Sequence, residues 1–382
     1  MDRRLVTTIS PFAFVRLFSA RLLCLLLALC AACAPGLDPT GLGRPGEPPK
    51  TALAETGTLK SGITAQQTLA SAQNGLTFVL SDSRTWISAN GCAACHRGGL
   101  PVFAGALSIK NGLTVNRAQL DWIAGVMSNE QFQWGDNFWM HDPSFQLRFS
   151  KGSWEIFALA GYGAYSGNTA YQNQLRLAFD WLRTQVNNGS YNPNATNWAS
   201  YDGRFSPARW TYTFPNDGKA FAGQTRPFIP TDYQLAPINY GWAQATGLTV
   251  AGLALWLNSN QGLTAAERTT YTTFMNNLAD SLEAVYVRSV NQWSINELFH
   301  AINGLIAAGR LPSSNANVAA MRDEILGRKI AGNSGWSDSA NGYPTASAGA
   351  TGAALYALCQ AGVRLDQNQA VNDAINWLVT NQ

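Results

Sequence analysis

Charge is scarce in this chain. Lys, Arg, Asp and Glu make up 13% of 382 residues, and the formal net charge is +3. No block of basic residues is present, so the sequence has no electrostatic footprint for nucleic acid or an anionic surface. Histidine occurs only at His96, His141 and His300, and methionine five times. Of the six cysteines, Cys24, Cys30 and Cys33 fall in the first 34 residues, leaving Cys92, Cys95 and Cys359. That is too few for a disulfide scaffold. Cys359 lies in an Ala-rich apolar segment and reads as a buried structural thiol. No apolar run is long enough to span a bilayer, since Leu22 to Ala32 falls well short. Asp202, Asp217 and Asp232 are scattered, with no acid/base pair at a readable spacing.

What is present begins with a leader. Arg3, Arg4, Arg16 and Arg21 precede the apolar Leu22–Ala32 stretch, and small residues follow at Ala31, Ala32, Cys33 and Ala34. Residues 1–34 therefore read as a signal peptide. Two outcomes fit: simple cleavage near Ala34, or a lipobox with Cys33 as the lipidated residue, imperfect because Cys30 stands where Leu is usual. The protein is expected to be exported, either periplasmic or an outer-membrane-anchored lipoprotein, touching the membrane only through such an anchor. Residues 35–62 are rich in Pro and Gly and read as a linker.

Cys92-Ala93-Ala94-Cys95-His96 spells C-x-x-C-H, the attachment signature of c-type haem. Two thiols add across the haem vinyl groups, and the adjacent imidazole becomes an axial iron ligand. The spacing predicts covalent haem c at Cys92, Cys95 and His96. The competing readings are a vestigial motif, a redox C-x-x-C and a metal site. A thioredoxin-like dithiol expects a βαβ setting that is not visible here, and zinc needs a fourth ligand. For the sixth iron ligand the candidates are Met127, Met140, His141 and His300. Met140-His141 lies in a polar, aromatic-rich loop flanked by Asp136 and Asp142, so His141 is the expected ligand. A lone His300 on an apolar helix reads more readily as a core residue.

The rest of the chain repeats itself. Trp154–Gly167, Ile295–Gly309 and Ala346–Gly362 are each rich in small apolar residues and end in Gly, a usual helix stop. Amphipathic segments such as Leu175–Gln185 and Val371–Gln382 follow, and Asn74–Ser81 fits the same template. Helices apolar all round are expected to lie inside, at about 97–111, 152–166, 241–257, 294–308 and 344–361. Helices with one wet face are expected outside them, at about 65–82, 116–128, 171–186, 265–284, 316–329 and 368–382. Gly161, Gly163, Gly247, Gly252, Gly349 and Gly352 are expected to let inner backbones approach. The predicted fold class is all-α, an α/α toroid over 63–382.

Over roughly 65–382 this alternation resembles the terpenoid cyclase and protein prenyltransferase superfamily, the squalene-hopene cyclase-like α/α barrels. The matching pieces are Gln185-x-x-x-Gly189-x-Tyr191 and the looser Gly335-Trp336, against a family signature of Gln, Gly and Trp. Tyr191 departs from it, and the chain reaches Gln382 where such a repeat runs on to its Gly and Trp. Cys92 to Pro101 is similar to exported bacterial proteins in which C-x-x-C-H and then Gly-Leu-Pro open the first inner helix. The superfamily's activity does not carry over. No D-x-D-D occurs, Trp336-Ser337-Asp338-Ser339 supplies one carboxylate, and the prenyltransferase zinc site has no counterpart.

Residues 187–240 interrupt the repeat with a concentration of aromatics, among them Tyr191, Trp198, Tyr201, Trp210, Tyr212, Phe214, Phe228 and Tyr233. This insertion reads either as a platform for a ligand or as a cap held down by its own rings. Two functions follow. One is a c-type cytochrome-like protein exchanging electrons with a redox partner protein or acting on a held molecule. The other is a non-redox toroid enzyme or binder for a small apolar or carbohydrate ligand, a terpenoid or a polysaccharide, with the motif vestigial. A surface scaffold for protein partners is a third.

Overall fold

A computed structural model describes residues 64–90, 97–128, 145–187, 211–213, 225–227, 242–260, 262–288, 290–291, 293–331, 335–337, 345–364 and 368–381. Among the described residues the chain is all-α, apart from one short strand pair. Eleven helices are described: α1 (Ala65–Asn90), α2 (Gly99–Lys110), α3 (Arg117–Ser128), α4 (Phe145–Ser166), α5 (Gln172–Asn187), α6 (Trp242–Ser259), α7 (Ala265–Arg288), α8 (Ile295–Ala307), α9 (Ala316–Gly327), α10 (Ala348–Gln360) and α11 (Gln369–Thr380). Between α5 and α6, β1 (Thr211–Thr213) pairs antiparallel with β2 (Thr225–Pro227), Tyr212 opposite Arg226. The rest of the aromatic insertion, the leader and the linker lie outside the described residues.

Two kinds of helix alternate. Helices α2, α4, α6, α8 and α10 are buried all round over long runs, 101–108, 152–163, 245–257, 297–306 and 350–359. Their composition explains this, because an apolar surface without a polar face can only lie between other elements. Each deep helix packs on the next in chain order: α2 on α4, α4 on α6, α6 on α8 and α8 on α10. The others keep an exposed face and lie against the deep set, α3 on α2 and α4, α7 on α6, α9 on α8 and α10. The last helix, α11, touches the first, α1.

Small residues set the spacing of the deep helices. A Cβ at Gly161 would stand 2.5 Å from the Phe103 ring, and one at Gly252 2.5 Å from Ile156 Cγ2. One at Gly247 would fall on the carbonyl of His300. Gly349 departs from the expectation, since a Cβ there would have no neighbour within 4 Å, and Gly163 meets only the turn at Asn168 and Gln172.

Local signals fix the helix ends. Three deep helices stop in one pattern, in which the residue after a left-handed Gly donates five residues back: Leu113 to Ser108, Arg310 to Leu305 and Val363 to Leu358, each at 2.9 Å. The glycines have φ of 76° at Gly112, 84° at Gly309 and 79° at Gly362, a conformation costly for any residue with a Cβ. Starts are capped as well. Ser294 and Glu297 form a reciprocal capping box on α8, and Thr264 with Glu267 do so on α7.

The Gly335-Trp336 pair joins α9 to α10. Trp336 is fully buried. Its indole Nε1 donates to the Ile325 carbonyl at 2.6 Å, and its backbone N–H to Thr351 Oγ1 at 3.0 Å. A Cβ on Gly335 would collide with Thr351 Oγ1 and Ala346.

Cys359 differs from its sequence reading. It is buried near the end of α10 as expected, but it is disulfide-bonded rather than a thiol. Every other cysteine of the chain lies outside the described residues.

Candidate functional site

The described chain resumes at Arg97, one peptide bond after His96 and so about 3.8 Å away between Cα atoms. This neighbour is held firmly. Its guanidinium pairs with Asp82 of α1 at 3.1 Å and lies over the Trp86 ring, 5.2 Å from the centroid. Burial lowers the Arg97 pKa, against the pull of Asp82. Two residues later α2 begins at Gly99, where a Cβ would stand 3.0 Å from Trp154 Cε3 of α4. The backbone leaving the motif is thus clamped to α1 on one side and pressed onto an indole on the other.

That indole meets a histidine. Trp154 and His300 of α8 lie edge-to-face with ring centroids 5.0 Å apart. Phe299 flanks the imidazole at 4.3 Å. His300 is 2% exposed, and its Nδ1 has no hydrogen-bond partner among the described residues. Burial pushes its pKa down to about 3, so the ring is neutral. Beside Trp154, Glu155 is also buried, and its Oε1 accepts from Gln174 at 2.9 Å.

Along the same deep helices, Phe103 stacks on Phe157 at 4.0 Å and meets Tyr165 edge-on at 5.8 Å. These rings line a small cavity with Leu255, Asn303 and Tyr356, so that all five deep helices contribute to its wall. Its free space accommodates about one water molecule.

Of the residues singled out in the sequence, Cys92, Cys95, His96, Met140, His141, Asp136 and Asp142 lie outside the described residues. Met127 is buried in the apolar core on α3. Gln185 falls on α5, and Gly189 and Tyr191 lie outside the described residues. Among the described residues no three of His, Cys, Asp and Glu gather to hold a metal ion. No described helix is long and apolar enough to cross a membrane. No spacing rule marks Asp82, Trp86 or Trp154 in the sequence. Only the position of Arg97 beside the motif points toward them.

A covalent haem would rest on the motif itself, on Cys92, Cys95 and His96, whose residue types are those such a group needs and which lie outside the described residues. No protein-family profile, curated protein or solved structure matches the chain.

Proposed function

We propose that this is an exported c-type cytochrome-like protein. Cys92 and Cys95 hold haem c through thioethers, and His96 binds the iron. Bound there, the haem supplies one-electron chemistry, used for electron transfer or for redox chemistry on a held molecule, with a redox partner protein as the natural counterpart. The observation that carries the reading is the C-x-x-C-H sequence running directly into a clamped backbone: Arg97 on Asp82 and Trp86, then Gly99 on Trp154. A fixed helix start beside the motif suits a site in which two sulfurs and an imidazole must meet one rigid macrocycle.

The scaffold we propose is an α/α toroid of the squalene-hopene cyclase and prenyltransferase type. Three observations support it: strict alternation of deep and shallow helices, the contact of α11 with α1, and a cavity walled by all five deep helices. The cavity these helices line holds about one water molecule, too small for a terpenoid. The insertion at 187–240 would carry any apolar or carbohydrate ligand instead.

The disulfide at Cys359 supports a second reading. If residues 1–34 are removed on export, the cysteines left are Cys92, Cys95 and Cys359. A disulfide in the mature chain would then engage a motif sulfur and exclude two thioethers. The test is a haem stain of exported protein after acid-acetone extraction, beside a non-reducing peptide map. Haem retained by the wild type and lost in Cys92→Ala/Cys95→Ala supports the cytochrome. A Cys359 link to Cys92 or Cys95 with no retained haem supports the second reading.

A further inference from the structure

We propose that the cavity between the deep helices binds a primary ammonium group, held by the Asn303 carboxamide and the aromatic rings around it. This site is built from deep-helix residues alone and is independent of the haem motif.

Gly99 meets Trp154 and, four residues on, Phe103 meets Gly161. The two series rise together, so α2 and α4 run parallel. At the cavity, Tyr165, Leu255, Ala307 and Gln360 come from the last five residues of α4, α6, α8 and α10. Lys110, the last residue of α2, places its ammonium 5.2 Å from the centroid of the Tyr165 ring. The C-terminal ends of all five deep helices therefore converge here. Each end carries about −0.5 of an elementary charge, so a small cation among them is stabilised. Among the described residues, none that lines the cavity bears a charge to cancel that field.

Asn303 supplies the polar anchor. It is 8% exposed and lines the cavity. Its Nδ2 is buried and has no hydrogen-bond partner among the described residues. A half-turn of the carboxamide exchanges its nitrogen for its oxygen, and the oxygen then accepts from an N–H of the ligand. A buried polar atom without a partner is costly, and a donating occupant removes that cost.

Phe103, Phe157, Tyr165 and Tyr356 bring four rings to the wall, and ring faces attract cations. Lys110 over Tyr165 shows the same attraction at the rim. The lining passes from buried Asn303 and Tyr356 to part-exposed Tyr165, Ala307 and Gln360, so the ligand enters at the C-terminal end of the helices. Size then selects among cations. The free space takes about one water molecule. An ammonium head has that size, whereas a trimethylammonium head is several times larger. The alkyl chain of the amine stays at the mouth, where the Lys110 ammonium opposes a second positive charge.

The test is titration calorimetry on the full exported chain with butylammonium, butan-1-ol and butyltrimethylammonium. We expect butylammonium to bind, and the other two to bind about tenfold more weakly or less, the scale of one hydrogen bond to a charged group. Asn303→Leu, close in size, should weaken butylammonium by about tenfold or more. Lys110→Met should tighten it. Nα-acetyl-lysine amide, run in parallel, separates the sources: tighter binding than butylammonium points to a lysine side chain of a partner, weaker binding to a free amine. Failure of both amines to bind overturns the proposal. Butan-1-ol binding as well as butylammonium overturns the cationic class, and butyltrimethylammonium doing so overturns the cavity as the site. Unchanged affinity in Asn303→Leu overturns the anchor, and affinity unchanged or weakened in Lys110→Met overturns the placement at this mouth. If Asn303→Leu does not fold, the ligand series on the wild type and the Lys110→Met variant decide.

Discussion

Gly247 and Gly304 meet backbone to backbone: a methyl group on Gly304 would begin 2.5 Å from the carbonyl oxygen of Gly247. This contact sets the distance between α6 and α8, the helix that carries His300. Gly304→Ala must push the two helices apart, and overpacking of this kind costs about 1–3 kcal/mol. Gly349→Ala has open space and a helical site, so it should be neutral or stabilising by up to about 1 kcal/mol. Urea denaturation of the two variants measures the contrast. Equal stabilities would show that α6 and α8 do not touch here.

The Gly335-Trp336 clamp predicts a second effect. Thr351→Val removes the acceptor of the Trp336 backbone N–H while keeping the shape of the side chain. A buried N–H then goes unpaired, a loss of about 1–3 kcal/mol. Thr380→Val, at an exposed hydroxyl on α11, serves as the control and should change little. Thermal unfolding of both variants tests it.

Acid weakens the α7 start. Hydrogen bonds from the Thr264 backbone and side chain, and then from Arg176, hold the Glu267 carboxyl at about 2, below its ordinary 4.5. Between those values the unfolded chain binds the proton and the folded chain does not, so stability rises with pH there. The contribution of Glu267 is complete above pH 4.5 and fades as pH falls toward 2. Glu267→Gln should be less stable than the wild type at about pH 6, with the difference shrinking toward about pH 2.5. A difference that stays constant across this range contradicts the linkage.

The left-handed residue after α8 gives a further prediction. Gly309 has φ 84°, where a Cβ costs about 1–2 kcal/mol. Gly309→Ala should lower stability by about that amount, whereas Gly309→Asn should lose less, because Asn tolerates this region. Denaturation midpoints of the two variants, with unchanged slopes, measure the ranking.

Much of the helical order is legible in the sequence because the deep segments are apolar all round and stop at Gly. Trp154–Gly167, Ile295–Gly309 and Ala346–Gly362 each end at a glycine of positive φ. For α1 the apolar pattern predicts a stop near residue 82, yet the helix runs to Asn90. Its buried stripe passes from Leu76 and Leu80 through Ser83 to Ile87, and the buried serine hides the periodicity. The pairing of Thr211–Thr213 with Thr225–Pro227 leaves no trace in the sequence, since three residues are too few for alternation to register. The meeting of Trp154 with His300 is out of reach for another reason. It joins two helices far apart in sequence, and nothing local to either residue announces it. Cys359 reads as a thiol only while its segment is considered alone.

The most direct measurement is the denatured intact mass of the exported, mature protein from cells that attach haem. The account predicts the polypeptide plus one haem, reduced to polypeptide alone in Cys92→Ala/Cys95→Ala. A wild-type mass equal to the bare polypeptide, with Cys359 linked to a motif cysteine, would contradict it.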